Sequence, residues 1–175
     1  MSVSDNTISN QRVCIIDSGY DINHPDLPSG NNVSGTSLIN GESWIEDGSG
    51  HGTHVAGTIA AIGGNNQGVV GVNRNGQINL HIVKIFSNSG AFSYTSDLIE
   101  AAEACASAGS TVINMSLGGK WWSVAESNAF DRIAESGILL VAAAGNDGDT
   151  SKLYPASYSS VISVGAIDSN KNRAS

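Results

Sequence analysis

The 175 residues predict an α/β fold, a three-layer, doubly wound and mostly parallel sheet with helices on both faces. Three observations carry that expectation. Short runs such as 12–17, 138–144 and 161–166 are apolar at consecutive positions, which suits strands buried on both sides. Helix-like segments rich in Ala separate them and stop at glycines. Polar residues gather just after the runs, at the carboxyl ends where such sheets form ligand crevices.

The elements follow in order. Residues 12–17 form a strand ending in Asp17 and a Ser-Gly turn. Residues 20–50 are polar and rich in Asn, Ser and Gly, and read as a long surface loop with a short irregular strand near 43–45. Gly35, Thr36, Ser37 and Leu38 belong to that loop, lacking the strand before and small-residue helix after that a serine elbow needs. A small-residue helix opens at His51 and runs to Gly63 and Gly64. Residues 79–86 form the next strand. Thr95 or Ser96 caps a helix to about 108, with Asp97 and Glu100 near the positive end of its dipole. Residues 111–115 are a strand running into Ser116, and 122–136 a helix. Residues 138–144 are a fully apolar strand ending in Gly145 and Asn146, and 161–166 a last strand.

Composition narrows the function. A chain that is 40% hydrophobic and 14% charged buries a core and forms one domain or most of one. Eight Lys and Arg against sixteen Asp and Glu, a net charge of −8, argue against a nucleic-acid groove. No apolar run approaches the roughly 20 residues of a membrane span, so no membrane partner is expected. Residues 1–7 carry no basic or apolar export segment, and the start is expected to be cut or engineered. Cys14 and Cys105 sit in apolar and Ala-rich runs, so buried free thiols are expected rather than a disulfide. His51 and His54 lack the spacing and acidic residue of a zinc helix.

Four polar positions stand where one rim of the sheet would collect them: Asp17, His51, Ser116 and Asn146. Each has a plain structural reading beside the chemical one. Asp17 is a turn-former or the carboxylate that orients an imidazole; His51 is a capping or core histidine or a general base. Ser116, Leu117 and Gly118 are a strand-to-helix turn or open backbone for an extended peptide. Asn146 is a turn residue or an amide aimed at a developing oxyanion.

Taken together, the motifs resemble those of the subtilisin-like serine proteases, the subtilases. They are 16–19 with His24, Pro25, Asp26 and Leu27; the Gly50 to Gly57 octet GHGTHVAG; 67–72; NMSLGG at 114–119; AAGN at 143–146; Tyr154, Pro155 and Ala156; and 161–166. They fall in family order and cover nearly the whole chain. The resemblance implies a subtilisin-like fold, incomplete at both ends, within one partial catalytic domain over 1–175. It implies a secreted serine endopeptidase acting on polypeptides, with Asp17 as triad acid, His51 as base and Asn146 as oxyanion donor. Ser116, Leu117 and Gly118 would form one pocket wall and Ala143, Ala144 and Gly145 the other, while Ser89, Gly90 and Ala91 pair with substrate upstream. Small residues lining that pocket imply broad specificity with an apolar preference. A structural calcium, Ca2+, is implied on Asp26, Gly63, Asn65, Gln67 and Val69, and a propeptide is a further implied partner.

The family's nucleophile sits on a GTSMA-like turn downstream of the Asn146 region, and no serine of this chain matches it. The expectation is therefore a chain inactive by itself, with exposed apolar surface, completed by a downstream segment or a second chain. The alternatives are a peptide-binding module that does not cut, and a nucleotide-binding domain. The missing Gly-x-Gly-x-x-Gly turn speaks against the last.

Overall fold

The computed structural model describes residues 11–90 and 95–174. Its elements are β1 (Arg12–Asp17), β2 (Val33–Ser37), α1 (His51–Ala60), β3 (Asn79–Lys84), α2 (Thr95–Ser107), β4 (Val112–Met115), α3 (Val124–Glu135), β5 (Leu139–Ala143) and β6 (Val161–Val164). The strands make one sheet in the order β2-β3-β1-β4-β5-β6, with every neighbouring pair parallel.

Successive strand residues face opposite sides, and that alternation builds the layers. Cys14 and Ile16 of β1 enter a core with Leu98, Ala101 and Ala102 of α2 and Phe130 of α3. Ile15, between them, enters a second core with Ala56 and Ala60 of α1. A strand apolar at every position is thus what a central strand between two helical layers requires. The connection through α1 runs over one face and those through α2 and α3 over the other. They part between β1 and β4, which opens a crevice at the carboxyl ends of those strands.

Four sequence expectations need correction. Residues 33–37 are a strand, where a loop was expected. As the outermost strand, β2 pairs only with β3, and its mostly small polar residues are half-buried, so no apolar run announced it. Residues 43–45 are not a strand: Trp44 packs against the α1-side core, and its carbonyl accepts from Tyr20 N at 2.9 Å. The helix opened by His51 ends at Ala60 rather than at Gly63. Its last carbonyls are taken by the following chain, Val72 N to Thr58 O at 3.0 Å and Asn73 N to Ile59 O at 2.8 Å, with Ala61 already extended.

The cysteines are the fourth correction. Cys14 and Cys105 form a disulfide with Cα atoms 5.6 Å apart, and neither is a free thiol. Their apolar surroundings signalled burial, and both are fully buried. Proximity was invisible, because it arises from α2 crossing the face of β1 to which Cys14 points, 91 residues away in sequence.

Apolar side chains are exposed at the β6 end of the sheet: Ile162 is 49%, Val164 50% and Ile167 67% exposed.

Candidate active site

Asp17 closes β1 and His51 opens α1, so parallel-sheet geometry brings their side chains together at the crevice. His51 Nδ1 lies 2.7 Å from Asp17 Oδ1. Asp17 is 1% exposed and the imidazole 56%, so a buried acceptor holds an accessible ring. Ser18 N donates to the same carboxylate oxygen at 2.7 Å. With Nδ1–H donated to Asp17, Nε2 is left as the basic nitrogen. This approach needs glycine twice. A Cβ on Gly52 would lie 2.3 Å from the Gly19 carbonyl oxygen, and one on Gly19, whose φ is +125°, would lie 2.1 Å from that of Glu46.

A second carboxylate ties the start of α1 to the end of β1. Asp47 accepts from Ser18 Oγ at 2.7 Å, Gly50 N at 2.9 Å, Thr53 N at 2.8 Å and Thr53 Oγ1 at 2.6 Å. Burial pushes its carboxyl up, but these hydrogen bonds, led by Thr53, outweigh burial and hold it below the usual carboxylate range. Ser18 Oγ in turn accepts from Gly52 N at 2.9 Å. Beneath them Lys84, fully buried at the end of β3, donates to Ser18 O and to Asn88 Oδ1 at 3.0 Å and pairs with Glu42 at 3.4 Å.

A cavity of about 750 Å³ extends from this pair. Asp17, His51, Gly90, Ser116, Leu117 and Gly118 line it, so six of the expected site residues share one space. Beyond Gly118, Gly119 and Tyr154 exchange backbone hydrogen bonds of 2.8 Å in an antiparallel bridge that fixes one rim. Ser89, beside Gly90, is exposed with Oγ 2.8 Å from Ser87 Oγ, and Ala91 lies outside the described residues. Ala144, Gly145 and Asn146 line a different cavity of about 140 Å³ with Asp147, Leu153 and Arg173; Ala143 is the exposed last residue of β5. The buried Glu126 also lines the first cavity, beside the small residues of 116–118. Among the described residues no hydroxyl is hydrogen-bonded to His51 Nε2; Ser116 Oγ instead lies 3.0 Å from its donor Asn114 Nδ2.

The loop expected to hold calcium wraps Asp26. Oδ1 accepts from Asn65 Nδ2 at 2.7 Å and Oδ2 from Val69 N at 2.8 Å, and these bonds hold the carboxyl below its ordinary range. A carboxylate, an amide and the carbonyls of Gly63, Gln67 and Val69 are oxygen donors of the kind calcium takes. Asn65, however, turns its nitrogen toward Asp26, and its Oδ1 accepts from Gln67 N at 3.0 Å. The donor types fit, and the amide of Asn65 would have to turn over to ligate.

Sequence reasoning passed over Ser18, Asp47, Lys84 and Glu126. Lys84 carried a signal, a lone cation inside the apolar run 80–86. Asp47 carried a weaker one, an acidic residue four before the histidine that opens a helix. Glu126 carried none: an acid in a first helical turn ordinarily faces water.

Comparison with known proteins bears on the family and the fold. The subtilase family model, peptidase S8, matches residues 9–175. Subtilisin DY from Bacillus licheniformis is 47% identical over 171 residues, 95% of this chain and 60% of that protein. Subtilisin E from Bacillus subtilis is 45% identical over 174 residues, 97% of this chain and 44% of that protein. The chain therefore spans between 44% and 60% of these relatives' lengths. The crystal structure of the psychrophilic subtilisin-like protease Apa1 from Pseudoalteromonas sp. AS-11 superposes with a TM-score of 0.89 at 51% identity, over 98% of this chain and 39% of that one. A parallel six-stranded sheet, a histidine at a helix start bound to a strand-end aspartate and a family match over almost its whole length place this chain in the subtilase family of serine proteases.

Proposed function

We propose that the chain supplies the acid–base half of a subtilisin-type serine endopeptidase site. The observation that carries this is the 2.7 Å contact between His51 Nδ1 and the buried Asp17, with the imidazole left open to the large cavity. Asp17 fixes the tautomer, and His51 Nε2 takes the serine proton as Oγ bonds to the scissile carbonyl carbon. The carbonyl π electrons move to oxygen, where the Asn146 amide donates to the resulting anion. As the tetrahedral species collapses, the C–N bond breaks and His51 returns the proton to the amine. Water then releases the acyl group by the same steps. Extended polypeptide lies along 116–118 and 89–91, and small walls favour apolar side chains next to the cut.

The serine comes from outside these residues, from a downstream segment or a second chain, and the 175 residues alone do not turn over. Support for this is that no serine of the sequence matches the family's GTSMA-like turn. Support for Asn146, for calcium on the Asp26 loop and for a propeptide partner is their correspondence to the family pattern. Extracellular residence is supported by the buried disulfide, a bond that persists in oxidising compartments.

A serine-directed fluorophosphonate probe, read by intact mass spectrometry, tests the reading. The 175-residue chain stays unlabelled, while a polypeptide that extends or accompanies it is labelled on its own serine, and His51→Ala abolishes that labelling. Labelling of Ser18, Ser49 or Ser116 would refute it. Peptide binding without turnover by the completed protein would favour the non-cutting module.

A further inference from the structure

The cavity that begins at His51 contains a feature the endopeptidase reading does not use. Glu126 stands in the first turn of α3, where its N–H is capped by Ser123 Oγ, yet it turns inward and is 3% exposed. It lines the cavity together with Phe86, Leu98, Leu117 and Tyr154. From behind, Tyr158 donates its hydroxyl to Oε2 at 2.5 Å. The Tyr158 ring is itself held by Phe130, edge-on at 5.7 Å between centroids, and by Tyr154 at 4.8 Å. The carboxyl is thus aimed by a packed aromatic support.

Among the described residues no lysine, arginine or histidine pairs with it. The cation lining the same cavity, Lys120, is 72% exposed and lies 3.6 Å from Asp147 at the rim. A carboxylate out of water without a counter-charge is costly, and burial accordingly pushes the Glu126 carboxyl up. A cation delivered from the cavity would offset that cost. A flexible side chain could run its methylenes past Leu98 and Leu117 and place its charge at the far end, close to aromatic faces.

We propose that Glu126 is a specificity-determining residue: the cavity beyond His51 accepts a lysine or arginine side chain of an extended polypeptide and pairs its charge with the Glu126 carboxylate. The inference rests on the peptide-binding reading above and adds a basic preference at one position away from the cut, where the small-residue walls implied none. A purely apolar side chain of equal length fills the same walls but leaves the carboxylate unpaired, which is the basis of the discrimination.

Acetylated, amidated pentapeptides carrying lysine or norleucine at each position in turn, titrated into the isotopically labelled 175-residue chain and followed by NMR, test it. At one position lysine binds at least tenfold more tightly than norleucine. Glu126→Gln, which keeps an acceptor for the Tyr158 hydroxyl, brings the ratio close to one, and Glu126→Leu inverts it; unchanged amide spectra away from α3 certify that both variants are folded. Equal binding at every position, or a lysine preference that survives Glu126→Gln, overturns the inference while leaving peptide binding intact. No binding by any pentapeptide removes the peptide-groove reading and this one with it.

Discussion

Asp47→Ala is expected to destabilise the protein by about 2–3 kcal/mol at neutral pH, and the number follows from what Asp47 holds. Of its five donors, Gly50 N and Thr53 N flank the start of α1, the hydroxyls of Ser18 and Thr53 bond at 2.7 and 2.6 Å, and the exposed Ser49 hydroxyl is the most distant at 3.4 Å. Loss of a helix cap costs about 1 kcal/mol and loss of an anion at a helix N-terminus about 0.3–1 kcal/mol. Two stranded hydroxyls in a half-buried site add roughly 1 kcal/mol, since each can recover part of its bonding from water. Urea unfolding at several pH values measures it. The folded carboxyl titrates below its unfolded value, so its contribution is present above the unfolded pKa and is lost as pH falls through the folded one. The gap between wild type and variant must therefore narrow toward strong acid. A gap under about 0.5 kcal/mol at pH 7, or one that widens on acidification, would refute the reasoning.

Two further expectations concern the rest of the scaffold. The disulfide closes a separation of 91 residues, worth about 4–5 kcal/mol in the chain-entropy picture; paired Cys14→Ala and Cys105→Ala changes should lower Tm by about 10 °C or more in a circular-dichroism melt. An unchanged Tm would mean that the bond constrains nothing the fold does not already hold. Calcium at about 100 times its dissociation constant should stabilise the chain by about 2.7 kcal/mol. Asp26→Asn should remove that shift, and a shift that persists in the variant places the ion elsewhere.

The layered sheet was legible in the sequence because a central strand between two helical layers must be apolar at consecutive positions, as 12–17 and 138–144 are. The helix stops at Gly109 and Gly137 were legible for the equally local reason that few other residues end a helix so readily, whereas the stop expected at Gly63 was not, since α1 ends at Ala60 where the following chain takes its last carbonyls. Strand β2 was not, because its burial comes from Trp44 and β3 rather than from its own side chains. The glycines flanking His51 were visible in the sequence, but the approach of Gly52 to Gly19 was not, because it is made between separate elements.

By itself, then, the sequence determined the class of fold, the family and which residues stand at strand ends and helix starts, since periodicity and motif are properties of neighbours along the chain. Only the tertiary structure decided that Cys14 meets Cys105, that Asp47 and Lys84 brace the turn holding Asp17, that Asn146 lines a different cavity from His51, and that Glu126 faces inward. Each of these depends on which elements cross and at what register, and pair distances set by sheet order and helix placement leave no trace in local pattern.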